Sequence, residues 1–193
     1  MFKKDAVRKD MFNKRANLKS SEVNISSLII AQNAYDFIKK HSFYSVALYM
    51  SINNEVKIEL LLGKVKYDDI NISLPYYSEG LDMCFYEFRD ASNLISGDHG
   101  ILYPENAKKT EIGEIDAFFV PGAAFDAIGN RIGYGKGCYD KALTNAKKGS
   151  LFIGVCYNFQ VFNANEFEIY TNDVKMNYLI NECGIVSCES TEV

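Results

Sequence analysis

Arg131, Gly133, Gly135, Lys136, Gly137 and Asp140 stand within ten consecutive positions, inside the stretch Val120-Pro-Gly-Ala-Ala-Phe-Asp-Ala-Ile-Gly-Asn-Arg-Ile-Gly-Tyr-Gly-Lys-Gly-Cys-Tyr-Asp140. Alternating glycines open backbone torsions closed to other residues and let main-chain N–H groups approach a ligand with no Cβ in the way. With an arginine and a lysine among them, and a helix-like segment following, the loop is suited to phosphate. Asp140, directly after the glycines, is the best candidate ligand for magnesium, which takes a few carboxylates together with phosphate oxygens and water. The plainer alternatives are a tight surface turn for the glycines and a first-turn helix acid for Asp140.

Standard nucleotide patterns do not fit. In a G-x-x-x-x-G-K-[ST] loop ending at Lys136, Asn130 would occupy the first glycine position and Gly137 the hydroxyl position; in G-x-G-x-x-G starting at Gly133, Cys138 would occupy the third glycine position. The positioning elements are nevertheless readable. Ile115–Val120 is an apolar run closed by Pro121-Gly122, which predicts a buried strand, and Tyr139–Lys148 predicts a helix stopped by Gly149. The glycines therefore lie at a strand-to-helix junction.

From Val120 to Leu143 the residues read V-P-G-x-x-F-D-x-x-G-x-R-x-G-Y-G-K-G-x-Y-D-x-x-L, and this pattern resembles the 5-formyltetrahydrofolate cyclo-ligase (methenyltetrahydrofolate synthetase) family. The resemblance implies ATP- and magnesium-dependent closure of 5-formyltetrahydrofolate to 5,10-methenyltetrahydrofolate, with release of ADP and phosphate. By the same resemblance, Lys4, Arg8, Arg131 and Lys136 are the catalytic cations, and ATP is held by them together with Gly133, Tyr134, Gly135, Gly137, Cys138 and Tyr139. Met50 and Glu55 fall on substrate-contacting positions, joined by Tyr134, Gly135, Lys136, Gly137 and Cys138; Asp140 and Asp173 fall where acids assist the metal. Tyr103 stands where the family's G-I-x-E-P segment has glutamate, so no charge-based role passes to it. The expected partners are the two small molecules, with no nucleic acid or membrane, and a monomer is expected. Lys136→Ala and Asp140→Asn are expected to lower turnover and leave the fold intact.

The scaffold is expected to be one α/β domain over residues 1–193, with a mainly parallel sheet covered by helices on both faces; the resemblance adds a fold of the NagB/RpiA/CoA transferase-like kind. Lys3 to Lys19 can form a helix with Ala6, Val7, Met11 and Leu18 inward, placing Lys4 and Arg8 four residues apart on one face. Ser26 or Ser27 could cap a second helix through Ala31 to Lys40. Ser45–Met50 reads as a strand, Ser51–Asn54 as a turn and Glu55 as the start of a helix, the kind of junction where parallel sheets place ligands. Further strands are expected at Ile70–Leu74, ended by Pro75, at Met83–Phe88, at Leu151–Tyr157, and at Tyr178–Ile180 or Gly184–Ser187, with residues 189–193 a frayed tail.

The 193 residues carry 48% hydrophobic and 24% charged side chains, an ordinary globular composition. No apolar run approaches the roughly 18–20 residues that span a bilayer, and the first residues lack a secretory core, so the cytoplasm is expected. Five cysteines without a C-x-x-C pair, and two histidines, argue against zinc; the cysteines read as reduced and mostly buried, with Cys138 partly exposed. Residues 1–19 contribute +5 to a net charge of −4. Such a basic end could address nucleic acid, but its mixed signs favour a solvated face. The competing functional readings are another ATP-dependent ligase or kinase on the same scaffold, and a catalytically impaired folate- or nucleotide-binding protein of the same fold.

Overall fold

The computed structural model describes residues 1–65 and 68–188. In chain order its elements are α1 (Lys4–Ala16), α2 (Ser20–His41), β1 (Ser45–Ala47), α3 (Leu61–Val65), β2 (Asn71–Tyr76), β3 (Cys84–Phe88), β4 (Leu94–Ser96), β5 (Leu102–Pro104), β6 (Lys109–Thr110), β7 (Ala117–Pro121), β8 (Ala124–Asp126), β9 (Arg131–Ile132), α4 (Cys138–Leu143), β10 (Leu151–Val155), β11 (Val161–Phe162), β12 (Tyr178–Asn181) and β13 (Gly184–Ser187). Eight strands form the main sheet in the order β13-β12-β10-β7-β1-β2-β3-β6. The five central strands, β12 to β2, run parallel, whereas β13, β3 and β6 add antiparallel edges.

The pleat of β7 divides the core. Ala117 and Phe119 face the cluster built with Ile30, Ala34 and Phe37 of α2 and Leu61 and Val65 of α3, while Phe118 and Val120 face the cluster containing Ala142 and Leu143 of α4. All five β7 residues are buried, which explains the unbroken apolar run of a central parallel strand. Helices thus cover both faces, as expected. Helix α1 packs elsewhere, setting Val7 and Met11 against Ala123, Ala124, Ile132 and Phe167 around the small β11-β8-β9 sheet.

Several local expectations change. Helix α1 buries Lys4, Val7, Met11 and Arg15, and Ala6 is exposed. Helix α2 begins at Ser20, where the Glu22 carboxylate accepts the Lys19 backbone N–H at 2.7 Å, so Ser26 and Ser27 lie within it and Ser27 is buried. The helix expected from Glu55 starts three residues later, as a 3-10 turn at Ile58–Leu60 leading into α3. Pro75 does not end β2 but pairs with Phe85; β1 reaches only Ser73 on the other side, so a strand residue without an N–H is tolerated there. Both candidate last strands exist, joined as the antiparallel pair β12–β13. Helix α4 stops at Leu143, with turns continuing to Gly149 at φ 95°. All five cysteines are free, but only Cys156 and Cys188 are buried, while Cys183 is exposed. The expected frayed tail, 189–193, lies outside the described residues. Among the described residues no helix is long and apolar enough to cross a membrane.

Asp116 fastens the amino ends of three strands. Its carboxylate accepts the backbone N–H groups of Tyr44 at 2.9 Å and Ser45 at 3.0 Å and pairs with Lys147 at 2.6 Å, while its own backbone bonds to Ser45 and Leu151. Burial works to raise its pKa, but the bonds from Lys147, Ser45 and Tyr44 more than reverse that, so the carboxyl sits below its ordinary value. A depressed acid stabilises the fold above its unfolded pKa of about 3.9, and that contribution disappears as pH falls through the folded value. Asp116→Asn should therefore be less stable at neutral pH and show a flatter loss of stability below about pH 4. Denaturation midpoints across that range test this; parallel curves for the two proteins would refute it.

Candidate functional site

The loops at the carboxyl ends of β1, β2 and β7 converge on one cleft of about 660 Å³. Every residue singled out from the sequence lines it: Lys4 and Arg8 from α1, Met50 and Glu55 after β1, Arg131, Gly133 to Asp140, and Asp173.

The stretch from Val120 to Asp140 is not one loop. Its first half folds into the β8–β9 hairpin, in which buried Asp126 accepts the backbone N–H of Ile128 at 3.1 Å and of Asn130 at 2.9 Å, and the Asn130 side chain at 2.8 Å. Gly129 holds φ 86° there, and a Cβ would lie 2.2 Å from the Met176 carbonyl oxygen. Asp126 and Gly129 are thus explained by the hairpin, and Phe125 by its place in the core cluster with Phe118 and Val120. The second half, residues 133–137, is the glycine loop proper. Gly135 at φ 99° and Gly137 at φ 65° require torsions that favour glycine, and a Cβ on Gly133 would come 2.7 Å from the Arg131 guanidinium.

The cations differ in availability. Lys136 is exposed, with its ammonium 5.3 Å from the centre of the Tyr77 ring. Arg8 is half-buried and donates through Nε to the Gly133 carbonyl at 2.9 Å, tying α1 to the loop. Lys4 is buried, pairs with Asp173 and lies 4.0 Å from the centre of the Tyr170 ring. Arg131 is also buried: it donates to the Pro121 carbonyl at 3.2 Å and to Asp140 Oδ2 at 2.9 Å, and its Nε has no hydrogen-bond partner. Arg131 thus lines the cleft while paired with Asp140.

Beyond the loop, Glu55 is buried and accepts the Tyr134 hydroxyl at 2.6 Å and the Ile52 N–H at 3.1 Å. Arg15, 2% exposed, donates to the Tyr134 oxygen at 2.5 Å and stands 3.7 Å from Glu55. Burial pushes the Glu55 carboxyl up, with Arg15 the strongest influence pulling it down. Tyr134 leaves 39% of its surface open while its hydroxyl sits between Arg15 and Glu55, and burial holds that hydroxyl far above the ordinary tyrosine value.

Arg15, Tyr77 and Tyr170 were not singled out by the sequence reading. For Arg15 a signal existed: with Lys4, Val7 and Met11 it completes a stripe at helical spacing, and a cation on an otherwise inward stripe needs a buried partner. Tyr77 and Tyr170 sit in irregular segments with no periodicity to mark them. Tyr103 packs against Tyr76 with ring centroids 4.4 Å apart, an aromatic contact beside the cleft.

The sequence profile of the 5-formyltetrahydrofolate cyclo-ligase family matches residues 1–182. A 5-formyltetrahydrofolate cyclo-ligase of Mycoplasma genitalium is 31% identical over 175 residues, covering 90% of this chain and 92% of that protein, and one of Haemophilus influenzae is 27% identical, covering 82% and 87%. Among solved structures, the 5,10-methenyltetrahydrofolate synthetase of Aquifex aeolicus superposes with a TM-score of 0.85 at 30% identity, covering 98% of this chain and 95% of its own. With the profile, the relatives and the backbone in agreement over nearly the whole length, the chain belongs to the 5-formyltetrahydrofolate cyclo-ligase family.

Proposed function

We propose that the protein closes 5-formyltetrahydrofolate to 5,10-methenyltetrahydrofolate at the expense of ATP, with ADP and phosphate released. The observation carrying this reading is that one cleft combines a phosphate-suited glycine loop, flanked by Lys4, Arg8 and Lys136, with a buried carboxylate, Glu55, at the β1 junction. In the reaction the formyl oxygen attacks the γ-phosphorus, the bond to the bridging oxygen breaks and ADP leaves. N10 then attacks the activated formyl carbon and loses its proton, and the carbon–oxygen bond breaks to release phosphate.

Such a transfer asks the protein mainly for positioning and for neutralisation of charge on the moving phosphoryl group. In this reading Lys136, Arg8 and Lys4 hold the phosphates, the N–H groups of residues 133–137 donate to their oxygens, and Met50, Glu55 and Tyr134 hold the folate. Magnesium suits the acids present. Asp140 receives one protein donor on each oxygen and so keeps lone pairs free, and the Val174 N–H bond to Asp140 Oδ1 at 3.1 Å draws the Asp173 segment beside it. One or two carboxylates, completed by phosphate and water, are what this ion takes; among the described residues no cluster of three ligands competes. Bound there, the ion would neutralise phosphate charge.

The test mixes purified protein with 5-formyltetrahydrofolate, ATP and magnesium and follows the near-ultraviolet absorbance of the 5,10-methenyl product. Product forming only when both ATP and magnesium are present is the expected result. Folate binding without product would leave a binding protein, and neither binding nor product would assign the glycine loop to a different substrate.

A further inference from the structure

We infer that Arg15 is a positioning residue for the folate end of the cleft: from the last turn of α1 it fixes the Tyr134 hydroxyl and the Glu55 carboxylate in the arrangement that meets the substrate. This rests on the function proposed above. Neither the sequence motif nor the family match assigns the residue a role.

The geometry carries it. Arg15 is the largest fully buried side chain of the protein among the described residues, and it stands behind the cleft, against two residues that line it, Tyr134 and Glu55. One guanidinium nitrogen meets the Tyr134 oxygen at 2.5 Å, the other lies 3.7 Å from Glu55 and 3.4 Å from the Gly122 carbonyl, and Nε has no hydrogen-bond partner. Tyr134 in turn donates to Glu55 at 2.6 Å. Arginine, tyrosine and glutamate thus form a closed set in which each polar head has one permitted orientation. The Phe12 ring, 4.9 Å from the Tyr134 ring, and the Arg15 guanidinium, 5.1 Å from Phe12, hold the aromatic body in place. The Asn54 side chain donates to the Arg15 carbonyl at 2.9 Å, fastening the helix end to the turn that delivers Glu55.

An ion partner also decides whether Glu55 is ionised. The groups facing it are Arg15 from α1, Tyr134 from the glycine loop, Tyr139 from α4, Tyr49 after β1, Tyr157 after β10, and Glu59 in the 3-10 turn. The tyrosines are held neutral by burial, and Glu59 pushes the Glu55 pKa upward. Among the described residues Arg15 is the one cation in this ring, so without it burial prevails and Glu55 takes up a proton at higher pH.

The experiment is a double-mutant comparison of 5-formyltetrahydrofolate binding, measured by calorimetry from mildly acidic to neutral pH. Arg15→Met should weaken folate binding about tenfold, with the loss growing as pH falls, while the KM for ATP stays within about twofold. In an E55Q background the growth of that loss at low pH should disappear, because the group that titrates is gone, while a pH-independent loss through Tyr134 remains. Arg15→Lys should return the pH profile towards that of the unaltered protein. Arg15→Gln, which keeps a polar contact and removes the charge, should show the same shift and serves if the methionine variant does not fold. Equal losses for folate and ATP without a pH component, or a loss in E55Q that still grows as pH falls, would overturn the role. Failure of the unaltered protein to bind the folate would instead overturn the proposed function, and this inference with it.

Discussion

Truncating Lys136 to alanine is expected to lower turnover by about 10²–10³, the effect of removing one preorganised group that meets developing charge. The side chain is exposed, and it sits between Gly135 and Gly137, both at positive φ, so the backbone that presents it is fixed by the glycines and not by its own packing. Its loss should therefore change stability by no more than about 0.5 kcal/mol. Turnover at saturating ATP and folate, measured beside a thermal unfolding curve, checks both halves. Near-normal turnover would remove Lys136 from the chemistry, and a large loss of stability would show that its contact with Tyr77 is structural.

Asp140→Asn should behave differently, although the sequence alone suggested an equally intact fold. Asp140 is the counter-ion of Arg131, whose side chain is 4% exposed, whereas that of Asp140 is 20% exposed. Asparagine keeps the shape and one acceptor but strands the guanidinium, and breaking a buried pair costs about 3–5 kcal/mol, with the lower end fitting a partly open partner. At roughly 2–4 °C per kcal/mol for a chain of this size, the unfolding midpoint should fall by about 6–12 °C. Turnover should fall by at least tenfold, since the acid nearest the glycines loses its charge. The double variant R131M/D140N, which removes both charges, should recover most of the midpoint and none of the turnover. Recovery of both together would reduce Asp140 to a structural partner.

The cleft was legible because its parts are local in sequence. A strand, alternating glycines, two cations and an acid fall within thirty residues, and the chemistry of each follows from its type. What escaped was set by tertiary contact. Pro75 reads as a strand stop, yet the short reach of β1 leaves its N–H side unneeded. Ser27 reads as a cap, yet buried inside α2 its hydroxyl accepts the Lys57 backbone N–H at 3.0 Å. Arg131 reads as a phosphate ligand, and the pairing of its buried guanidinium with Asp140 could not be read from the sequence. Asp126 and Gly129 were absorbed into one long loop because the hairpin they build has strands of only three and two residues, too short for any periodicity to show.

The first residues of the chain are tied to nearly its last segment: Phe2 exchanges backbone hydrogen bonds with Glu166 and Glu168, and Lys4 reaches Asp173, 169 positions away. Helix α1 can form its own helical turns, and several of its packing partners, Ala123, Ala124 and Ile132, lie in the middle of the sequence, but the ties to Glu166, Glu168 and Asp173 wait for a much later segment. Tying Lys4 to Asp173 closes a loop of 169 positions, a cost that grows only as the logarithm of loop length but is met all at once. A chain cut before residue 166 would keep the bonds of Arg8 to Gly133 and of Arg15 to Tyr134 and lack the ties of Phe2 and Lys4 that hold the first turn of α1 at the cleft.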